Sequence, residues 1–168
     1  MFLELLPFAH SYGIKIATEN MWNWKGELDH AVAAACSHHD DFAAHIDVVG
    51  DPSFGACLDV GHAEMKGLDT SAPQMIRALG HRLIALHLHD NDRWHDSHMI
   101  PFTGEIDFRG VVEALVDVGY QGDFTLEPDK HMDKYEGRDP LLRVNEMADS
   151  ARRLVALYET VKGERSLV

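Results

Sequence analysis

The chain has 168 residues, 45% of them hydrophobic and 26% charged, which is material for one domain with a real core. Its 15 Lys and Arg against 28 Asp and Glu give a formal net charge of −13, a surface that repels phosphate backbones and argues against nucleic acid as a partner. No apolar run approaches the roughly 20 residues of a membrane span, and the first residues lack the basic flank and cleavage site of a secretory leader, so no membrane partner and a cytoplasmic location are expected. Cys36 and Cys57 form no CxxC pair and suggest no disulfide framework.

Residues 2–10 read as the end of a helix packing Phe2, Leu5, Leu6 and Ala9, bent or ended by Pro7. Residues 13–19 read as a buried strand ending in Glu19, followed by a Trp-bearing loop over 21–26 and then two helical stretches. Ser37 is the expected N-cap of the second stretch, with Phe42, Ile46 and Val49 inward and Gly50-Asp51-Pro52 as its stop. A second strand over 54–59 ends in Asp59 and contains Cys57 as a small core residue. Ser71-Ala72-Pro73 opens a helix with Met75, Ile76 and Leu79 on its apolar side and Gly80 at its end. The strand over 82–89 leads into a polar loop from Asp90 to about Ile106. A helix capped by Asp107 places Val111, Val112, Leu115 and Val118 at helical spacing, and the last strand, 123–127, ends in Glu127. Asp139-Pro140 starts a long amphipathic helix running to about Lys162.

Strand and helix alternate four times, with an extra helix in front. The expected fold is α/β of the (β/α)8 TIM-barrel type, with about four β/α units present. A closed barrel takes about 250 residues, so residues 1–168 are expected to form a single domain that is half of one, cut inside the barrel. A half-barrel leaves two sheet edges unpaired. The partners expected from this are a second copy in a homodimer or a missing N-terminal half.

All strand ends of a parallel α/β fold point the same way, so Glu19, Asp59, His87 and Glu127 should converge at one face. Three carboxylates and one imidazole suit one divalent metal ion, Mn, Co, Zn or Mg. Taken singly each signal is weak: Glu19 reads equally as a loop carboxylate, and Asp59 as an Asx turn. In Leu58-Asp59-Val60-Gly61-His62, Gly61 permits a tight turn and His62 can return to the same pocket. His87 and His89 share a strand face by alternation; His87, at the end of the Leu83, Ala85, His87 series, is the favoured ligand. Five of the twelve histidines fall between His81 and His98, a density that suggests a site. The loop after His89 offers Arg93 and the pair Asp96 and His98, which could reach one metal together. Trp22 and Trp24, just beyond Glu19, could pack a sugar ring or cover a barrel mouth.

The ordered set Thr18-Glu19-Asn20, Leu58-Asp59-Val60-Gly61-His62, Leu86-His87-Leu88-His89-Asp90-Asn91, Asp96-Ser97-His98-Met99-Ile100-Pro101-Phe102-Thr103-Gly104-Glu105-Ile106-Asp107-Phe108 and Leu126-Glu127-Pro128 resembles the sugar phosphate isomerase/epimerase family. These are xylose-isomerase-like TIM barrels related to metal-dependent apurinic endonucleases, and the resemblance covers their C-terminal half. It implies Glu19, Asp59, His87 and Glu127 as metal ligands, with Glu19 and Glu127 also the catalytic acid–base pair. His62 and Arg93 would contact substrate. Asp96 and His98, with His62, match instead the residues with which the endonuclease branch holds an additional zinc. The expected function is therefore metal-dependent isomerisation or epimerisation of a sugar or sugar phosphate through an enediolate. The alternatives are metal-dependent phosphoester hydrolysis, or a non-catalytic half-barrel.

Overall fold

A computed structural model of the chain describes residues 1–133 and 140–167. In chain order its elements are α1 (Phe2–Tyr12), β1 (Ile16–Glu19), β2 (Trp22–Lys25), β3 (His30–Ala33), α2 (His39–Val49), β4 (Phe54–Asp59), α3 (Val60–Ala63), α4 (Ala72–Leu79), β5 (Leu83–Leu88), α5 (Phe108–Asp117), β6 (Thr125–Leu126), α6 (Asp129–Asp133) and α7 (Pro140–Arg165). Strands β1, β4, β5 and β6 form one parallel sheet in that order, and β2 and β3 form a separate antiparallel hairpin. Consecutive parallel neighbours linked by helical crossovers are the expected half of a (β/α)8 barrel.

Burial follows position in the sheet. Every residue of β4 is buried, as a central strand covered on both faces requires, whereas the edge strands β1 and β6 are half-exposed. Behind the sheet, Phe42 and Ile46 of α2, Met75, Ile76 and Leu79 of α4, and Val111, Val112 and Leu115 of α5 pack with Leu58 and Leu86 into one apolar core. Val49 and Val118 lie at its margin. Apolar side chains remain exposed on α1 (Leu3, Leu5, Phe8) and α7 (Leu141, Leu142, Val144), the helices that flank the sheet.

Several caps follow from local chemistry. The Ser71 hydroxyl accepts from the Gln74 N–H, and the Asp107 carboxylate from the Arg109 and Gly110 N–H groups. Gly50 ends α2 at φ 60°, a conformation that glycine adopts without steric cost.

Other local expectations are corrected. Pro7 does not end α1, which runs on to Tyr12, and Leu5 is exposed rather than packed. The N-cap of α2 is His38, whose ring accepts from the Asp40 N–H; Ser37 instead bonds the backbone of Ala34. The Trp-bearing loop is strand β2, and the first helical stretch is its partner β3, with Trp22 opposite Ala33 and Trp24 opposite Ala31. Helix propensity in the Ala-rich segment yields to tertiary partners. Ala31 is buried with Met65, Leu68 and Trp22, and its N–H donates to the carbonyl of Lys66. The predicted start of the last helix at Asp139 lies outside the described residues.

Candidate metal centre

The register of the sheet determines where the donors meet. Asp59 at the end of β4 lies opposite His87 of β5, His87 lies opposite Thr125 of β6, and Glu19 ends β1 opposite Cys57. Glu127 follows β6 with its N–H on the Leu88 carbonyl at 3.1 Å. One donor atom from each of Glu19, Asp59, His87 and Glu127 lies within 4.8 Å of the others. Nδ1 of His87 stands 3.1 Å from a Glu127 oxygen and 3.4 Å from a Glu19 oxygen. That nitrogen is buried and makes no hydrogen bond among the described residues. Donors that crowd together without bonding one another are what a cation-sized gap between them produces.

A second cluster adjoins the first. Donor atoms of His62, His89, Asp96 and His98 also lie within 4.8 Å of one another. The Asp96 carboxylate stands 3.3 Å from Nε2 of His62 and 3.3 Å from Nε2 of His98, and its buried Oδ1 has no hydrogen-bond partner among the described residues. His62 joins the clusters, with Nδ1 at 3.3 Å from Glu19 and on the Asn20 carbonyl at 3.0 Å. His89 joins them too: its Nε2 reaches the two Asp59 oxygens at 3.0 and 3.2 Å, and its ring stacks on His98 at 3.9 Å.

Charge is balanced between these groups. Burial works against the charge on Asp59, but the hydrogen bond from His89 and the fields of His89 and His62 outweigh it and hold the carboxyl below its usual range. Burial also opposes the charge on His62; hydrogen bonds to Asp96 and Glu19 and the field of Asp59 prevail and raise its pKa to about 11. Asp96 is held low against its own burial by His62, then by His98 and His89. Glu127 moves the other way: burial, reinforced by Asp59 and Glu19, raises it despite the neighbouring His87.

Not every residue singled out from the sequence reaches the centre. Arg93 has its guanidinium against the Glu64 carboxylate and carbonyl, both at 3.3 Å. Trp22 lines a cleft next to Asp96. Gly61 makes no left-handed turn. It lies in α3, where any Cβ would collide with the His89 ring, so its role is close packing.

Three supporting residues escaped the sequence reading. Asn20 clamps two strand ends, donating to the Asp59 carbonyl at 2.9 Å and accepting from the Asp59 N–H at 2.7 Å. Asn91 donates to the Gly61 carbonyl at 3.0 Å. The fully buried Asp90 accepts from four backbone N–H groups, of Asn91, Thr103, Gly104 and Ile106. It thereby folds the long loop that carries Asp96 and His98. The available signal was polar residues placed directly after apolar strand ends, at 20 and at 90–91.

Comparison with known proteins agrees with this architecture. An uncharacterised protein of Methanocaldococcus jannaschii is 29% identical over 138 residues, which are 82% of this chain and 45% of that protein. D-psicose 3-epimerase of Enterocloster bolteae is 30% identical over 125 residues, 74% of this chain and 37% of that enzyme. A D-tagatose 3-epimerase-like protein of known structure superposes with a TM-score of 0.69 at 23% identity, over 98% of this chain and 54% of that one. The chain thus spans about half the length, or less, of the relatives it matches. With a family model matching residues 2–156, it belongs to the xylose isomerase-like TIM barrel family.

Proposed function

We propose that residues 1–168 form the C-terminal, metal-binding half of a barrel whose site serves a divalent-metal-dependent sugar isomerase or epimerase. The observation that carries this reading is the meeting of Glu19, Asp59, His87 and Glu127 at four consecutive strand ends, with a buried nitrogen on His87 left unbonded among the described residues. These four residues would hold one Mn, Co, Zn or Mg ion, an oxygen-rich set suited to hard and borderline cations. The epimerase names carried by two of the relatives favour a sugar as substrate. Sheet edges β1 and β6 are where the other four strands of a barrel would pair.

The ion, when bound, supplies Lewis-acid polarisation of a substrate carbonyl, which acidifies the adjacent C–H. Glu19 and Glu127 both lie beside His87, so one carboxylate can take the proton from carbon while the other returns one. The raised pKa of Glu127 brings it nearer the range in which a carboxyl can donate as well as accept. His62, at 3.3 Å from Glu19, would hold a substrate hydroxyl. Arg93 would join it only after leaving Glu64.

The test is metal content by elemental analysis after dialysis against Mn²⁺, together with proton exchange at carbon in a ketose screen. About one ion per chain, lost in Glu127→Gln along with turnover while the fold persists, is the expected result. Near-normal turnover in that variant would remove the proton-transfer role. The second cluster favours one alternative, phosphoester hydrolysis with a further metal at His62, Asp96 and His98. Two or more ions per chain with phosphodiesterase activity would establish it, although the charge of −13 opposes a DNA substrate. No bound ion would leave a non-catalytic half-barrel.

A further inference from the structure

A cleft of about 610 Å³ opens beside the second cluster, between the β2–β3 hairpin, the loop after β5 and α6. Three indoles line it, Trp22, Trp24 and Trp94, together with Asp29, Asp96 and Lys130. Trp22 and Trp24 alternate onto one hairpin face and meet edge-on with ring centroids 6.5 Å apart. Trp24 keeps 43% of its surface exposed and Trp94 38%, and the Lys66 ammonium lies 4.3 Å from the centre of the Trp94 ring. Flat apolar faces set among a few hydrogen-bonding groups match the two-sided chemistry of a sugar ring, whose C–H faces stack while its hydroxyls bond.

Lys130 donates to the Asp96 carbonyl, and the Lys66 ammonium stands over the Trp94 ring.

The cleft adjoins the metal centre. Asp96 belongs to both, standing 3.3 Å from Nε2 of His62, whose Nδ1 is 3.3 Å from Glu19. Beyond His62 and Asp96 from Glu19 the next side chains are the indoles of the cleft. The volume of the cleft falls in the range of roughly 300–1,000 Å³ usual for small-molecule sites. We propose that the substrate is a glycosylated ketose, with the ketose at the metal centre and at least one further sugar ring among Trp22, Trp24 and Trp94. This rests on the sugar reading above.

The test is titration of the whole chain, saturated with Mg²⁺, with D-fructose and with the ketose disaccharides lactulose and isomaltulose. Tryptophan fluorescence and heat of binding are the readouts. The disaccharides are expected to bind at least tenfold tighter than D-fructose. Trp94→Ala and Trp24→Ala should bring them to the D-fructose level without altering D-fructose itself, and Trp94→Phe, which keeps an aromatic face, should retain most of the difference. Equal affinity for both sugar classes, or disaccharide affinity indifferent to all three substitutions, overturns the proposal. Mg²⁺ uptake on the same samples separates the two levels: with uptake normal, such a result sinks only the glycosylated substrate, and without uptake the isomerase reading falls too.

Discussion

Replacing Gly61 with alanine tests how closely the two clusters are built onto one another. A Cβ at position 61 would fall 1.9 Å from Cε1 of His89 and 2.5 Å and 2.6 Å from its two nitrogens, against 3.4 Å for ordinary contact. The ring would have to withdraw by about 1.5 Å. It has nowhere easy to go, being fully buried, stacked on His98 at 3.9 Å and bonded to both Asp59 oxygens. Overpacking of this kind costs about 1–3 kcal/mol, and losing a hydrogen bond to a charged carboxylate about 1.5–3 kcal/mol. The sum, about 2.5–6 kcal/mol, corresponds to a fall in Tm of about 5–24 °C for a chain of this size. Releasing Asp59 should also weaken metal binding about 10–100-fold, as loss of a ligand's outer partner does. Thermal melts and metal titration of Gly61→Ala, His89→Ala and the double variant measure both effects. With the ring gone, Gly61→Ala should cost less than about 1 kcal/mol. Additive costs in the double variant would refute the steric argument.

Three further outcomes are expected. Asp90→Ala strands four backbone N–H donors and should destabilise the chain by about 3–5 kcal/mol, with amide exchange accelerated over residues 99–106 before the rest; protection there equal to the parent's would contradict it. His62 has its folded pKa raised to about 11 from an ordinary value of 6.5, so its contribution is complete below pH 6.5 and is lost as pH rises through 11. The Tm of the metal-free chain should therefore fall from pH 7 to 10, more steeply than in His62→Gln; parallel profiles would argue against the pairing. Glu127→Gln, which removes a charge from a crowded acidic set, should leave the metal-free Tm unchanged or higher; a large drop would mean the carboxylate has a structural role.

The barrel topology was legible because it rests on local and periodic signals. Apolar runs ending near residues 19, 59, 88 and 126 alternate with helical spacing, and Ser71, Asp107 and Gly50 cap their helices through atoms only a few residues away. Glu19, Asp59, His87 and Glu127 could be brought together on paper because parallel strands carry like ends to one side. That inference needs no knowledge of side-chain packing. The β2–β3 hairpin was not legible, since residues 30–33 favour a helix locally and are held extended by Lys66, Met65 and Leu68.

By itself, then, the sequence determined the order of the four parallel strands and of the main helices between them, the ends at which polar residues collect, and the kind of chemistry those residues could carry. The tertiary structure alone decided that His89 grips Asp59, that Gly61 leaves room for its ring, that Arg93 turns to Glu64, and that three tryptophans far apart in two segments share one cleft. Periodicity reports which face of an element is apolar. Contacts between residues 30 or 70 positions apart depend on the summed packing of every element between them, and no local pattern encodes that.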